Sequence, residues 1–360
     1  MPLPLSAEKN KTRQLRIIYA GGTLGMLPGQ QGLEPGSNLA ARLLPQLPSG
    51  WLDKLDVQLS FCELTPLLDS SAMQARHWLE LAAQLLAEEQ HYAGFVLIQG
   101  TDTLAWTSSA LHCLLTNFSR PLLLTAAQLP LGAPNSDALP NFMYAVEQAV
   151  NLANSNQPNS TKQWLAFNQQ LLPLQASRKY HSQAKNAFIA TSQPQAAKHW
   201  PPQGQLKPQE LRQLANQGFA PKILCLPLTP SLNDAWLSQL LHSLIANQNS
   251  TTQAHKQLDG LIIAGLGSGN SPHLPRSWQQ LHQLHKQSVP LGLISQCWQG
   301  GVNQNYAAAA ALTADGVQSL GAMTPEYAEA RLVCLLALHQ LGKISANQVV
   351  DFWPDPKVSG

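Results

Sequence analysis

Charged residues are scarce in this chain of 360 residues. Asp, Glu, Lys and Arg make up 12% of it and the formal net charge is +2, whereas roughly 25% charged residues is typical of soluble domains. No block of Lys or Arg occurs, so the composition argues against nucleic acid or an anionic membrane surface as a partner. A small neutral or zwitterionic ligand fits this composition better.

Long apolar runs are also missing. No run reaches the roughly 18 residues that suggest a membrane span. The opening "MPLPLSAEKNKTRQ" lacks the apolar core of a signal peptide. We therefore expect no membrane association and a cytoplasmic location.

Disulfide and metal-binding patterns are absent too. The five cysteines are scattered and form no C-x-x-C pair, so they indicate neither a disulfide framework nor a zinc site. We expect all five to be buried in the core as small apolar residues. They are Cys62, Cys113, Cys225, Cys297 and Cys334. His282 and His285 lie one helical turn apart but lack a third ligand, which favours a solvated helix face over a metal site.

The sequence does contain a recurring alternation of short apolar runs, turn residues and helical spacing. This alternation predicts an α/β protein with a largely parallel sheet covered on both faces. The predicted strands lie in "LRIIYAGG", "YAGFVLIQG", "RPLLLTAA", "KQWLAFN", "PKILCLPL", "LDGLIIAGLG" and "VPLGLISQC". The predicted helices lie in "MQARHWLELAAQLLAEEQHYAG", ending at Gly94, in "SWQQLHQLHKQ" and in "TPEYAEARLVCLLALHQLG".

Chain length favours two domains. Pro and Gln dominate between Ser192 and Lys222, where the apolar periodicity fades. We expect an N-terminal domain over 1–203, a linker over 204–221 and a C-terminal domain over 222–360.

Two glycine-threonine motifs follow predicted strands, and ligands of open α/β sheets bind at that end of the strands. Gly21-Gly22-Thr23 fits neither the dinucleotide nor the phosphate-loop pattern, which leaves a tight turn or a hydroxyl placed for chemistry. Gly100-Thr101-Asp102-Thr103 could cap the helix that follows it. Its carboxylate could instead hold a substrate ammonium, or orient a lysine that deprotonates Thr101.

Several segments occur in an order and at a spacing that resemble the bacterial L-asparaginases, especially the cytoplasmic type I branch. They are "AGGTLGM", "LTPLLDSSAM", "GFVLIQGTDTLAWTSSAL", "PLLLTAAQLPLG" and "QASRKYHSQAKNAF". The likeness continues through "LIIAGLGSGNSP" and "LISQCWQGGVNQNYAAAAAL". Its specific part is the pairing of an N-terminal G-G-T with a later G-T-D-T.

The resemblance implies catalytic roles for four residues. Thr23 and Thr101 match the two essential threonines, and Thr23 is the expected nucleophile. Asp102 matches the carboxylate that binds the substrate α-amino group, and Lys179 matches the catalytic lysine. A partly desolvated Lys179 could relay a proton from Thr101.

Substrate-binding roles follow in the same way. Ser70 and Ser71 match the pair that grips the α-carboxylate and amino ends of the substrate. Backbone N–H groups flanked by Gly22 and Gly100 are expected to stabilise the oxyanion of a tetrahedral intermediate.

The implied reaction is hydrolysis of L-asparagine to L-aspartate and ammonia through a threonine acyl-enzyme, without a metal or organic cofactor. Glutamine or another small amide is an open alternative. Two further alternatives are open. One is an ammonia-supplying subunit of an amidotransferase, which would need an extra domain that is not evident. The other is a catalytically weakened sensor that binds an amino acid.

The sequence departs from the resembled pattern at several positions. The most serious is Leu33 in "QGLEP", which replaces a tyrosine that activates the first threonine. Leucine carries no proton to exchange, and loss of one acid/base group typically costs about 10²–10⁴-fold in rate. The other departures are Ala20, "TAA" at Thr125–Ala127, the altered loop Asn135–Ala138, and Ala264 where an arginine is expected. Cys297 matches a residue lining an allosteric site, but with Ala264 we predict no allostery.

The resemblance also implies a fold and an assembly. It predicts a large N-terminal α/β domain with a mixed sheet and a smaller flavodoxin-like C-terminal domain with a parallel sheet. A homodimer or a dimer of dimers is expected, with a neighbouring subunit contributing to each site from the region of Asn270 or of Asn303 to Tyr306.

Overall fold

The computed structural model describes residues 13–30, 32–158, 162–191, 206–245, 258–303, 312 and 316–354. The chain divides into two compact units, each assembled from separate stretches of sequence. The first comprises Met1–Ser70, Glu88–Thr101 and Phe118–Leu171, and the second comprises Ser71–Ala87, Asp102–Asn117 and Leu172–Gly360.

The first unit is built on a six-stranded sheet. In chain order its strands are β1 (Arg13–Gly21), β4 (Val57–Leu68), β5 (Gly94–Ile98), β6 (Leu122–Thr125), β7 (Gln163–Phe167) and β8 (Gln170–Pro173). They lie in the order β4-β1-β5-β6-β7-β8, and the first five pair in parallel. A two-residue turn with both φ angles positive, Asn168 and Gln169, joins β7 to β8 as in a β-hairpin, so the sheet is mixed.

Among the described residues, three α-helices and a ribbon complete the first unit. The helices are α1 (Leu39–Leu43), α2 (Trp51–Leu55) and α5 (Ala138–Asn154), and the ribbon pairs β2 (Met26–Gly29) with β3 (Gly32–Pro35). The apolar face of α5 packs with Ile17 and Val96 of the sheet in one buried cluster. Strand β5 is buried along its whole length, which explains its unbroken apolar sequence.

The second unit contains a separate sheet of four parallel strands. They are β11 (Ile223–Pro227), β12 (Gly260–Gly265), β13 (Leu291–Ser295) and β14 (Gln318–Ser319). A small antiparallel pair, β9 (Ser177–Lys179) and β10 (Phe188–Ala190), belongs to the same unit. Its helices are α3 (Ala75–Glu88), α4 (Leu104–Leu114), α6 (Pro208–Asn216), α7 (Asp234–Ser243), α8 (Pro275–Lys286), α9 (Pro325–Gln340) and α10 (Ala346–Phe352).

The α/β class, with a mixed sheet and a separate parallel sheet, is confirmed, and each of the seven predicted strands is present. The predicted end of the first of the three helices is wrong: α3 ends at Glu88, and Gly94 instead begins β5, where its missing side chain makes room for Leu15. Helix α6 lies within the predicted linker and buries Leu211 and Leu214.

The structure corrects one composition-based expectation. Cys113 and Cys334 are buried, but Cys225 and Cys297 are exposed, so the expectation of five buried cysteines is wrong. Across the part of the chain that the structure describes, no helix combines the length and apolar character needed to cross a bilayer.

Candidate active site

The first glycine-threonine motif forms a sharp turn at the carboxyl end of β1. Gly21 and Gly22 have φ angles of 117° and 89°, a region that side-chain-bearing residues rarely adopt. Gly22 then caps a single 3₁₀ turn, Thr23–Gly25, closed by a hydrogen bond from Gly25 N to Gly22 O of 3.2 Å. The half-buried Thr23 thus sits at the first position of this turn.

Both glycine motifs meet because β1 and β5 are neighbours in the sheet. A Cβ at Gly22 would overlap the backbone of Gly100, and one at Gly100 would lie 2.5 Å from Ser70 Oγ. The absence of side chains at these two glycines therefore allows three segments to touch. Thr23, Thr101 and Ser70, which we predicted as site residues, belong to these segments.

Thr101 lies directly after the close contact at Gly100. Its side chain is 5% exposed, and its Oγ1 donates a hydrogen bond of 3.4 Å to Oε1 of Gln128. Gln99 N donates to Thr125 O at 3.2 Å, which ties the end of β5 to that of β6.

Asp102 and Lys179, both in the second unit, form an ion pair. Lys179 Nζ lies 2.7 Å from Asp102 Oδ1, with the two side chains 18% and 63% exposed. Thr103 occupies the N-cap position of α4 but makes no side-chain capping hydrogen bond. The Thr103 side chain therefore does not cap α4. Asp102, the residue after Thr101, instead pairs with Lys179, the predicted catalytic lysine.

Ser71 and Asp102 line a cavity of about 590 Å³ in the second unit. Most of its other walls are apolar, including Met73, Trp78, Trp106, Phe219, Ile223 and Val333. Glu329 also lines it and accepts a hydrogen bond of 3.0 Å from Trp106 Nε1. Burial raises the pKa of the Glu329 carboxyl, and the nearby Glu326 adds to the increase.

Leu33 lies on β3 of the ribbon, opposite Pro28, with 49% of its surface exposed. Tyr19 is wholly buried in β1, and its hydroxyl packs beneath Gly25 of the Thr23 turn. Burial raises the pKa of Tyr19 to about 12, against an opposing influence of Arg42. A phenol with such a pKa gives up its proton reluctantly, so Tyr19 is not equipped to serve as a general base.

The segments that we expected to reach a neighbouring subunit lie in the second unit. Asn270 pairs through its backbone with Leu266, and its buried Oδ1 has no hydrogen-bond partner among the described residues. Asn303 N donates to Ser268 O at 2.8 Å, whereas residues 304–306 lie outside the described residues. His282 and His285 lie on α8, and no cluster of three metal-ligating residues occurs in the described ranges.

Gln128 and Asp137 were missed as site residues. Gln128 follows "TAA" and contacts Thr101, while Asp137 accepts hydrogen bonds from the backbone of Gln128 and Leu129. The sequence feature that could have identified this loop is an acidic residue shortly after a buried strand, at the same sheet edge as the threonines.

Comparisons with known proteins identify the family of this chain. A family model described as "Asparaginase, N-terminal" matches residues 14–210, and one described as "Glutaminase/Asparaginase C-terminal domain" matches residues 222–345. The chain is 29% identical over 333 residues to L-asparaginase 1 of Escherichia coli (strain K12), covering 90% of this chain and 92% of that protein. The crystal structure of L-asparaginase I from Vibrio cholerae superposes with a TM-score of 0.72 at 26% identity, covering 95% of this chain and 97% of that one.

Some relatives carry other names. The chain is 28% identical to a 60 kDa lysophospholipase of Mus musculus, of which it spans 58%. It is 24% identical to a glutamyl-tRNA(Gln) amidotransferase chain of Saccharolobus solfataricus, of which it spans 78%. Because the N-terminal model alone matches more than half of the chain, this protein belongs to the asparaginase family, which supports amide hydrolysis as its class of reaction.

Proposed function

We propose that this protein hydrolyses the side-chain amide of L-asparagine to L-aspartate and ammonia through a threonine acyl-enzyme. The observation that carries the proposal is the contact of Gly22 with Gly100, which brings two threonine-bearing strand ends to one place. A hydroxyl is a weak nucleophile unless a neighbouring polar group activates it. The adjacent parallel strands β1 and β5 bring Thr23 and the polar residues after Gly100 together from separate parts of the sequence.

In the proposed mechanism Thr23 Oγ1 attacks the amide carbon, the hydroxyl proton of Thr23 passes to the amide nitrogen, and the C–N bond breaks to release ammonia and leave a threonyl ester. Water then hydrolyses this ester to aspartate and returns a proton to Thr23. Backbone N–H groups beside Gly22 and Gly100 stabilise the oxyanion. Lys179, oriented by Asp102, relays the proton of Thr101, and Asp102 also binds the substrate α-amino group. Ser70 and Ser71 hold the α-carboxylate and amino ends.

The proposal extends to assembly and location. We propose a homodimer or dimer of dimers that acts in the cytoplasm on a small-molecule amide. Membership of the asparaginase family supports this assembly, because the family resemblance implies sites completed by a neighbouring subunit. Analytical ultracentrifugation at micromolar concentration tests the oligomeric state, and a monomer would contradict it.

Ammonia release from L-asparagine, L-glutamine and D-asparagine tests the activity. We expect L-asparagine to be hydrolysed fastest. Thr23→Ala and Thr101→Ala should reduce kcat by about 10³-fold or more, and Lys179→Met by about 10²–10⁴-fold. Thr116→Ala and Lys185→Met, at exposed positions, are the matched controls and should retain activity.

A second function is favoured by the exposed Leu33, which supplies no acid or base to the site. In that case the protein binds an amino acid without turning it over and acts as a sensor. Calorimetric binding of L-asparagine without ammonia release, unchanged by Lys179→Met, would support the sensor and contradict the hydrolase. Bulkier amides belong in the same assay because the cavity beside Asp102 has room for more than asparagine.

A further inference from the structure

The loop between β6 and α5 is held in place by one buried carboxylate. Asp137 is 6% exposed, and its Oδ1 accepts hydrogen bonds from Gln128 N at 3.0 Å and Leu129 N at 2.9 Å. Asn141 Nδ2 donates to Asp137 Oδ2 at 3.1 Å. Hydrogen bonds to an ionised acceptor are the stronger kind, so Asp137 fixes the backbone from which the Gln128 side chain projects.

Asn141 fixes the same loop from the other side. This residue is 2% exposed, and its Nδ2 also donates to Ala126 O at 3.0 Å. Its Oδ1 accepts from Asn168 N at 3.0 Å, in the turn between β7 and β8. A buried side chain whose donor and acceptor are both used resists displacement, so the loop is anchored to the sheet at both of its ends.

This anchored loop directs Gln128 at Thr101. The Thr101 hydroxyl donates its hydrogen to Gln128 Oε1 at 3.4 Å, a distance that hydrogen bonds of active sites often show before substrate binds. An amide oxygen accepts a hydrogen bond but is too weak a base to remove the proton. Gln128 therefore selects one orientation of the hydroxyl and leaves proton removal to another group.

We infer that Gln128 is a positioning residue for Thr101, and that Asp137 acts through Gln128 by fixing its backbone. This inference rests on the proposed hydrolase function. It assigns a role to the loop that departs from the resembled pattern at Thr125–Ala127 and Asn135–Ala138. Misorientation of a reacting group costs up to about 10²-fold in rate, and the substrate contacts assigned to Ser70, Ser71 and Asp102 are left unchanged.

Gln128→Met tests the inference because it keeps the side-chain length and removes the accepting oxygen. We expect kcat for L-asparagine to fall about 10- to 100-fold, while KM and the calorimetric Kd for L-aspartate change less than about threefold. Gln128→Glu keeps an accepting oxygen and should hold kcat to within about fivefold of the wild type at neutral pH. Gln170→Met, at an exposed position of the same unit, is the matched control.

Asp137→Asn tests the second part. It replaces one accepting carboxylate oxygen with an NH2 group, which cannot accept the hydrogen bond from Asn141 Nδ2, and we expect a loss of kcat similar to that of Gln128→Met. The double variant should be no worse than the poorer single one, since both changes act on the same hydroxyl. A Gln128→Met enzyme with wild-type kcat, or one whose aspartate affinity falls as far as its kcat, would overturn the inference. Absence of ammonia release from the wild type would instead defeat the proposed function.

Discussion

At the scale of single residues, Leu33 occupies the position where the family resemblance implies a tyrosine that activates Thr23. It is half exposed on β3, opposite Pro28, so a larger side chain fits there without displacing the core. We expect Leu33→Tyr to raise kcat at least about tenfold, since one restored acid/base group is worth about 10²–10⁴-fold. Steady-state ammonia release measures the effect.

Leu27→Tyr is the matched control for this substitution. Leu27 lies on the other strand of the same ribbon and is 41% exposed, so a tyrosine there changes the surface without restoring the missing residue. Equal rates for Leu33→Tyr and the wild type would mean that some other group already activates Thr23.

At the scale of elements, the β2–β3 ribbon is clamped at its base by Arg42 of α1. Arg42 Nη2 donates to Gly25 O and Gly36 O, each at 2.8 Å, and Gly36 N donates to Gly25 O at 3.2 Å. Gly25 ends the Thr23 turn, so one guanidinium holds both the ribbon and the turn. Glu63 holds α1 itself by accepting from Asn38 N and Leu39 N.

Arg42→Met keeps most of the side-chain length and removes these donors. Hydrogen bonds from charged groups contribute about 1.5–3 kcal/mol, so we expect the ribbon to open more often and kcat to fall about tenfold. Limited proteolysis should cut between residues 26 and 35 faster than in the wild type. Arg76→Met, at an exposed position, is the control, and equal proteolysis of Arg42→Met and the wild type would contradict the clamp.

At the scale of the whole molecule, His112 makes stability depend on pH. It lies within α4, with its ring 6.1 Å from that of Tyr327. Burial, assisted by the charge of Arg331, lowers its pKa to about 4. Because the unfolded chain binds this proton near pH 6.5 and the folded one does not, we expect the free energy of unfolding to fall as pH decreases from 6.5 to 4, by about 3 kcal/mol in all.

Urea unfolding at pH 7, 5.5 and 4.5 measures this dependence. His112→Gln cannot be protonated, so its stability should decline less over the same range, even if it starts lower. His91→Gln changes an exposed histidine and should keep the wild-type slope. A His112→Gln protein with the wild-type slope would show that other groups cause the acid sensitivity.

The sequence predicted the strands well because their burial forces unbroken apolar runs, as in "GFVLI" of β5. It did not predict β4, whose twelve residues are mostly only partly buried and show no such run. It placed α3 too long because apolar spacing continues beyond Glu88, where the chain turns towards β5. A glycine at position 94 is compatible with both the end of a helix and the beginning of a strand.

Thr23, Thr101 and Lys179 could be proposed from the sequence because each lies in a segment that the family resemblance matches, and their catalytic roles stay predictions. The candidate site was not predictable where a contact depends on a loop conformation. Gln128 meets Thr101 only because Asp137 and Asn141 fold the intervening loop, and no spacing in "TAAQLPLGAPNSDAL" encodes that geometry.

The contact between Gly22 and Gly100 limits how this protein can diversify. A side chain at Gly22 would overlap the backbone of Gly100, and one at Gly100 would overlap Ser70, so we expect neither position to be available for adaptation to a new amide. We expect variation that alters substrate choice to come from surfaces that can change independently of this contact, such as the β2–β3 ribbon and the loop that carries Gln128. A library that randomises those two segments and leaves both glycines intact tests this expectation.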